Sequence, residues 1–327
     1  MKRRDFVAGL AGATVAWPLA ARAQEGSIAR VGVLAASREA GGGRLAHPVL
    51  IDELRKLGFT QGRHLAVEYR RIDQGTAEAF AGANELVAWR ADVLLAFGPE
   101  LALQAAAAAR PPVPIVIAAN NYDPIARNYV QSLPRPGGNV TGIVARQLEL
   151  VAKQIELLME AFPERKRLGA LWDAQSADQF AAAEREAKAR QLTLRAIKLE
   201  NPPYDFDAAF RTLAQDGVDM LHILSSPLFS PQSARIGELA IQYRLPHIHI
   251  LRHYVDAGGL MSYGVDFSLM MRRAASFIAK ILRGAKPADL PLEQVNQFEF
   301  VVNLKAAKAM GVTLPTSILL RADEVIE

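Results

Sequence analysis

From Ile28 onward the chain alternates short, almost wholly apolar runs with helical patterns, and this alternation constrains its fold more than any other feature. "IARVGVLAAS" (28–37), "LAVEYRR" (65–71), "DVLLAFG" (92–98) and "PIVIAAN" (114–120) read as strands, with helices predicted over 47–59, 76–90 and 100–110. Strands that are apolar on both faces and joined by helices belong to a parallel sheet covered on each side. After "RPGGNVTG" (135–142) the pattern begins again, with helices over 148–162, 176–191, 206–217 and 232–244 and strands over 167–173, 192–200, 219–226 and 246–251. Two successive sets of strand–helix units predict an α/β chain built as two doubly wound, parallel-sheet lobes.

The remaining pieces are "GGLMSYG" (258–264), a helix over 266–284, "FEFVVN" (298–303) and a last helix. They carry too little core to fold alone, so each completes a lobe and the chain crosses between lobes more than once, forming a multi-strand hinge. The expected partition places 28–144 with 258–290 in the first lobe and 145–257 with 291–327 in the second, with crossings near Gly142, Gly258 and Leu290. A cleft between such lobes, rimmed by loops at the carboxyl ends of strands, is where α/β folds of this kind bind ligands.

Residues 1–23 stand apart from this pattern. Lys2, Arg3 and Arg4 precede an apolar stretch from Val7 to Leu19, and Ala21-Arg22-Ala23 then supplies a small-x-small cleavage site before Gln24. The stretch is too short to span a membrane and fits an export signal. Arg3-Arg4-Asp5-Phe6-Val7 also resembles the twin-arginine pattern, so export to the periplasm is expected. The signal holds four basic residues and one acidic residue, so the chain's formal charge of +4 falls to +1 in the mature part. That removes the electrostatic footing for nucleic-acid binding. The absence of cysteine excludes disulfides, thiolate metal sites and cysteine nucleophiles.

Candidate ligand residues follow from the strand ends. In the first set they are Ser37 and Arg38, then Gly98, Pro99 and Glu100, then Asn120, Asn121, Tyr122 and Asp123. Gly98-Pro99-Glu100 opens a helix whose free N–H groups suit a carboxylate. Glu100 and Asp123 also read as ordinary helix or turn caps, while the Tyr122 ring suits stacking on a planar molecule. In the second set the candidates are Trp172 and Asp173, Ser225 and Ser226, Arg252 and Tyr254, with Tyr263 and Asp266 beside a chain crossing. Trp172 faces either core or cleft, since the alternation of "LGALWD" leaves both open. Arg38 and Arg252 offer planar forks for a carboxylate.

No Gly-x-x-x-x-Gly-Lys-Ser/Thr, Gly-x-Ser-x-Gly or Gly-x-Gly-x-x-Gly occurs, which argues against the commonest enzymes of this architecture. No catalytic residue and no cofactor is expected. His247 and His249 share a strand face with His253 just beyond, a spacing that suits a metal, yet without a carboxylate or thiolate partner they read as hydrogen-bonded structural groups. Two alternatives stay open: an enzyme using the cleft with Asp173 or Asp266 as base, and the sensing half of a receptor, against which stand the export signal and the lack of DNA-binding helices.

"VGVLAAS", "LRKLGFTQGRHLAVEYR", "LPRPGGNVTG", "RLGALWD", "ARIGELAIQYRLPHI", "GGLMSYG", "ILRGAKPADLPLEQ", "FEFVVNLKAAKAMGVTLP" and "LLRADEVIE" together resemble the ABC transporter substrate-binding family of type I periplasmic binding-protein fold, which includes tryptophan-binding members. The resemblance spans nearly the whole mature chain. It implies a bilobed solute receptor that closes about a hinge on a small organic solute and hands it to a membrane permease driven by a separate ATPase; the chain is expected to act as a monomer. Where members often read Gly-Asp-Pro-Val-Gly-Ala-Gly after the fourth strand, this chain reads "NNYDPIARN" (120–128), keeping Asp123-Pro124 in a bulkier, more polar loop. The resemblance names a family and no particular solute; the loop residues suit a carboxylate on an amino-acid or aromatic body.

Overall fold

The computed structural model describes residues 28–35, 43–72, 75–120, 122–145 and 147–327. Residues 1–23, expected to be an export signal, and the candidates Ser37, Arg38 and Asn121 lie outside them. The first half runs β1 (Ala29–Ala35), α1 (Gly43–Lys56), β2 (Leu65–Arg71), α2 (Thr76–Ala88), β3 (Val93–Gly98), α3 (Glu100–Ala108), β4 (Ile115–Ala119) and β5 (Val140–Ala145). The second runs α4 (Gln147–Ala161), β6 (Arg167–Trp172), α5 (Ala177–Ala189), β7 (Thr193–Lys198), α6 (Phe206–Gln215), β8 (Met220–Ile223), α7 (Ser233–Gln242), β9 (His247–His249), α8 (Arg252–Asp256) and β10 (Met261–Val265). The tail comprises α9 (Phe267–Leu282), β11 (Glu293–Val295), β12 (Phe298–Asn303), α10 (Leu304–Met310), α11 (Thr316–Arg321) and β13 (Glu324–Ile326).

These strands form two sheets. The six-stranded sheet has the order β11-β5-β4-β3-β1-β2 and is parallel throughout. The seven-stranded sheet has the order β13-β12-β10-β9-β8-β6-β7 and is parallel except where β12 runs against β10. Apolar strands dictate burial on both faces: β3 and β4 have no exposed residue, and one core fills the α2–α3 face of the first sheet while another fills the α1–α9 face. A single continuous core surrounds the second sheet. In each sheet the strand order reverses once, between β1 and β3 and between β6 and β8, and such switch points open a crevice at the carboxyl ends of the strands.

The α/β alternation holds, and the sheet membership of the tail differs from the expected partition. β10 lies in the second sheet, because Met261 and Ser262 pair with Ile248 and His249 of β9. β11 lies in the first, because Glu293–Val295 pairs with Ile143–Ala145 of β5. α9 packs on β3, β4 and β5. The chain therefore changes sheets after Ala145, Val265 and Val295: the first switch falls at the expected boundary near Gly142, and the other two come later than Gly258 and Leu290. Gly142 is mid-strand: its φ is 132°, and a Cβ there would sit 2.2 Å from the carbonyl oxygen of Ile117. Glycine is a requirement of strand pairing at this position, although in sequence it reads as a turn.

Candidate functional site

Each candidate loop leaves the carboxyl end of a strand. In the first sheet, Gly98 takes φ 97° and lets β3 turn into α3 at Pro99. Glu100, in the first turn of α3, accepts a hydrogen bond from Tyr129 Oη at 3.0 Å. Asn120 is buried at the end of β4, and its Oδ1 has no hydrogen-bond partner. Tyr122 is buried edge-on to Tyr129, its hydroxyl is also without a partner, and burial pushes its pKa well up, so the hydroxyl keeps its proton. Asp123 caps the turn that follows, with Oδ1 accepting from the N–H groups of Ile125 (2.8 Å) and Ala126 (3.2 Å).

The second sheet furnishes its strand ends differently. Asp173 is fully buried, accepts from the Gln175 N–H at 3.0 Å and from Tyr204 Oη at 3.1 Å, and takes a short hydrogen bond from the Ser226 hydroxyl. Burial, then the Asp173 carboxylate, raises the Tyr204 pKa. Ser225 is held through its backbone, its N–H on Gln179 Oε1 at 2.9 Å and its carbonyl receiving Gln179 Nε2 at 3.1 Å. Trp172 stacks face to face on Phe180 at 4.2 Å with Lys198 Nζ over its ring, which sets it in a sandwich along the sheet edge.

Three expected roles are corrected here. Arg252 is not a free fork for a carboxylate: it makes a two-pronged pair with Glu324 (2.6 and 2.8 Å) and also meets Glu299 at 2.8 Å, contacts that raise its pKa further, Glu324 foremost. Tyr254 is core, 1 % exposed, with its ring 3.5 Å from that of His249. Asp266 caps α9 through the Ser268 N–H at 2.7 Å and meets Arg272, and Asp173 is committed to a capping network, so neither carboxylate is placed as a base. Tyr263 is half-buried against Phe298 and Phe300, and its carbonyl accepts from Gln154.

His222, His247, His249 and His253 are all buried. His222 Nε2 meets Gln154 Oε1 at 2.7 Å, His247 lies between the Leu245 carbonyl and the Leu260 N–H, and His249 Nδ1 accepts from the Leu251 N–H. Desolvation pulls His222 down to about 3 and His247 and His253 to about 4, so they are neutral at pH 7. Among the described residues no group of three or more His, Asp or Glu side chains is placed to hold a metal.

Two features escaped the sequence. Arg127, in the loop after β4, sets Nη2 2.5 Å from Asp178 Oδ2 at the start of α5 and Nε 3.4 Å from Glu100 Oε2. Among the described residues it is the only ion pair joining elements of one sheet to those of the other, and it puts the exits of β4 and β6 opposite each other. The second is a cavity of about 290 Å³ between the Tyr122–Ile125 loop, the end of β5 and the first turn of α4, with Leu148, Glu149 and Gln294 among its lining residues. Distance along the chain hid both features, since their walls come from segments that meet only in the fold.

Residues 43–326 match the family described as ABC transporter substrate binding protein. A tyrosine-binding protein of Clostridioides difficile (strain R20291) is 22 % identical over 263 residues, 80 % of this chain and 74 % of that protein. The crystal structure of an ABC domain in complex with L-Trp from Streptococcus pneumonia is 25 % identical with a TM-score of 0.81, over 92 % of this chain and all of that one. A conserved domain protein of Vibrio cholerae superposes with a TM-score of 0.82 at 24 % identity, over 91 % of this chain and all of that one.

Proposed function

This chain belongs to the ABC transporter substrate binding protein family, with the type I periplasmic binding-protein fold, and on that premise we propose that it is a non-enzymatic receptor closing about its hinge on an aromatic amino-acid-type solute. The observation that carries the closing mechanism is the Arg127–Asp178 pair, which ties the loop after β4 to the helix after β6 across two sheets joined by three crossings. A solute touching both walls is bound fully only when they are together, so it shifts the population toward the closed form. Gly98, Pro99, Glu100, Asn120, Tyr122 and Asp123 make one wall of the site, to which Ser37, Arg38 and Asn121, outside the described residues, are assigned from their places in the sequence. Asp173, Ser225 and Ser226 form the floor of the other.

The solute class draws on the relatives, a tyrosine-binding protein and a domain crystallised with L-Trp. Delivery to a permease with a separate ATPase, a periplasmic location and action as a monomer complete the reading. Among the described residues no helix is long and apolar enough to cross a membrane. Thermal unfolding with L-tyrosine or L-tryptophan at 100 times Kd should show about 2.7 kcal/mol of added stability. The amino acid should be recovered unchanged. Absence of any shift with either amino acid, or conversion of one of them, overturns the proposal.

A further inference from the structure

The cavity beside the loop after β4 sits on the hinge itself. Its floor is the paired ends of two crossing strands: Val144 of β5 and Gln294 of β11 are register partners, and the chain leaves the first sheet after Ala145 and again after Val295. On one side stands the loop after β4, with Tyr122 and Leu133, and the Leu292 N–H donates to the Leu133 carbonyl at 2.8 Å, which braces the loop to the crossing strand. On the other side stands Leu148 in the first turn of α4. Leu150 and Val151, just beyond it, are buried in the second sheet's core, whereas Tyr122 and Val144 belong to a core of the first. Turning one sheet against the other therefore widens or narrows this cavity directly.

The lining suits a ring. Seven of its ten described residues are apolar or aromatic, against the polar Asp123, Glu149 and Gln294, so most of the wall gains from being covered by apolar surface. Leu148 is only half-buried, and Ile125, 38 % exposed, is one of three large apolar side chains left exposed among the described residues. An apolar cavity of about 150 Å³ holds benzene, so about 290 Å³ holds a phenol or an indole. Resting on the reading of the chain as a solute receptor, we propose that this hinge cavity takes the solute's ring, and that the ring, not the amino-acid head, sets the closed hinge angle. A ring touches the β5–β11 floor and α4 together only at the angle where both reach it, so its occupancy selects that angle. The head adds affinity on the strand-end walls.

Calorimetry and X-ray scattering of the full chain, with ring and head supplied separately, test this. p-Cresol and indole are rings without a head; L-alanine is a head without a ring. p-Cresol should bind about a thousandfold more weakly than L-tyrosine, as expected when two charge-assisted partners are lost, and at saturation should contract the chain as far as L-tyrosine does. L-Alanine should leave the radius of gyration unchanged. Leu148→Ala should shift preference from p-cresol toward indole about tenfold by enlarging the cavity, and Leu148→Trp should abolish binding of both rings by filling it. Should Leu148→Trp fail to fold, the Leu148→Ala ratio decides, since that side chain is half-buried in a first helical turn. Binding of L-tyrosine with no binding of either ring, binding of a ring without contraction, contraction by L-alanine, or a p-cresol-to-indole ratio in Leu148→Ala within twofold of the unaltered chain's overturns the cavity assignment and leaves the receptor reading intact. Failure of both L-tyrosine and L-tryptophan to bind the unaltered chain overturns the aromatic amino-acid reading and this assignment with it.

Discussion

The two sheets bring strand ends to the same place in the fold and furnish them in opposite ways. Behind β6 and β8 Asp173 receives Tyr204 and Ser226 and Gln179 clamps Ser225, while Trp172 Nε1 has no partner. Behind β4, Asn120 Oδ1 and the Tyr122 hydroxyl have no partner, and a cavity opens beside them. Buried polar groups are hydrogen-bonded as a rule, and of the exceptions Tyr122 lines the cavity, whereas the Tyr254 hydroxyl and ring nitrogens of His222, His249 and His253 lie buried in the second sheet's layers.

The largest expected break in this symmetry is with acid. Four of the six histidines lie buried in the second sheet's layers, and His64 of the first is exposed. Burial lowers the folded pKa of His247 and His253 to about 4 from an ordinary value of 6.5, so as pH falls below 6.5 the unfolded chain takes up protons first and stability falls. Each should contribute a loss of about 3 kcal/mol by pH 4, while nothing changes above pH 7.5. Among the described residues, Trp89 reports on the first half and Trp172 on the second. Acid titrations of Trp89→Phe and Trp172→Phe variants should therefore show the second half losing structure at the higher pH. Coincident transitions would contradict the assignment of acid sensitivity to that half.

A smaller effect separates the two capping aspartates. Asp173→Ala strands the buried Ser226 hydroxyl and the half-buried Tyr204 hydroxyl and removes a cap, which should cost about 3 kcal/mol in a denaturant titration. Asp123→Ala removes one exposed turn cap and should cost about 1 kcal/mol or less. Equal losses would mean that the second wall is no more rigidly built than the first. Smallest is the bridge between the walls. Arg127 and Asp178 are each about half exposed, so Arg127→Gln should lower solute affinity no more than about fivefold. That loss should vanish at high salt, where the unaltered pair is itself screened. An undiminished loss in 1 M salt would assign Arg127 a direct contact with solute.

Much of the fold was legible because its strands are apolar on both faces and its helices are amphipathic. The crossings were not, because sheet membership is fixed by pairing partners: β11 is three residues long and joins the first sheet only through β5, while Gly142 looks like a turn until Ile117 is seen beside it. The strand-end loops were legible for the same reason as the strands. The roles within them were not, since Arg252 and Tyr254 are ordinary ligand-binding residue types until Glu324 and His249 are found against them. Arg127 was passed over because its partner lies 51 residues away on the other sheet.

Small-angle X-ray scattering of the full chain, alone and saturated with L-tyrosine, tests most directly whether two walls close on a shared solute. The account predicts a smaller radius of gyration in the saturated sample and return to the starting value after dialysis. Superimposable profiles from a sample that calorimetry shows to be saturated would contradict it.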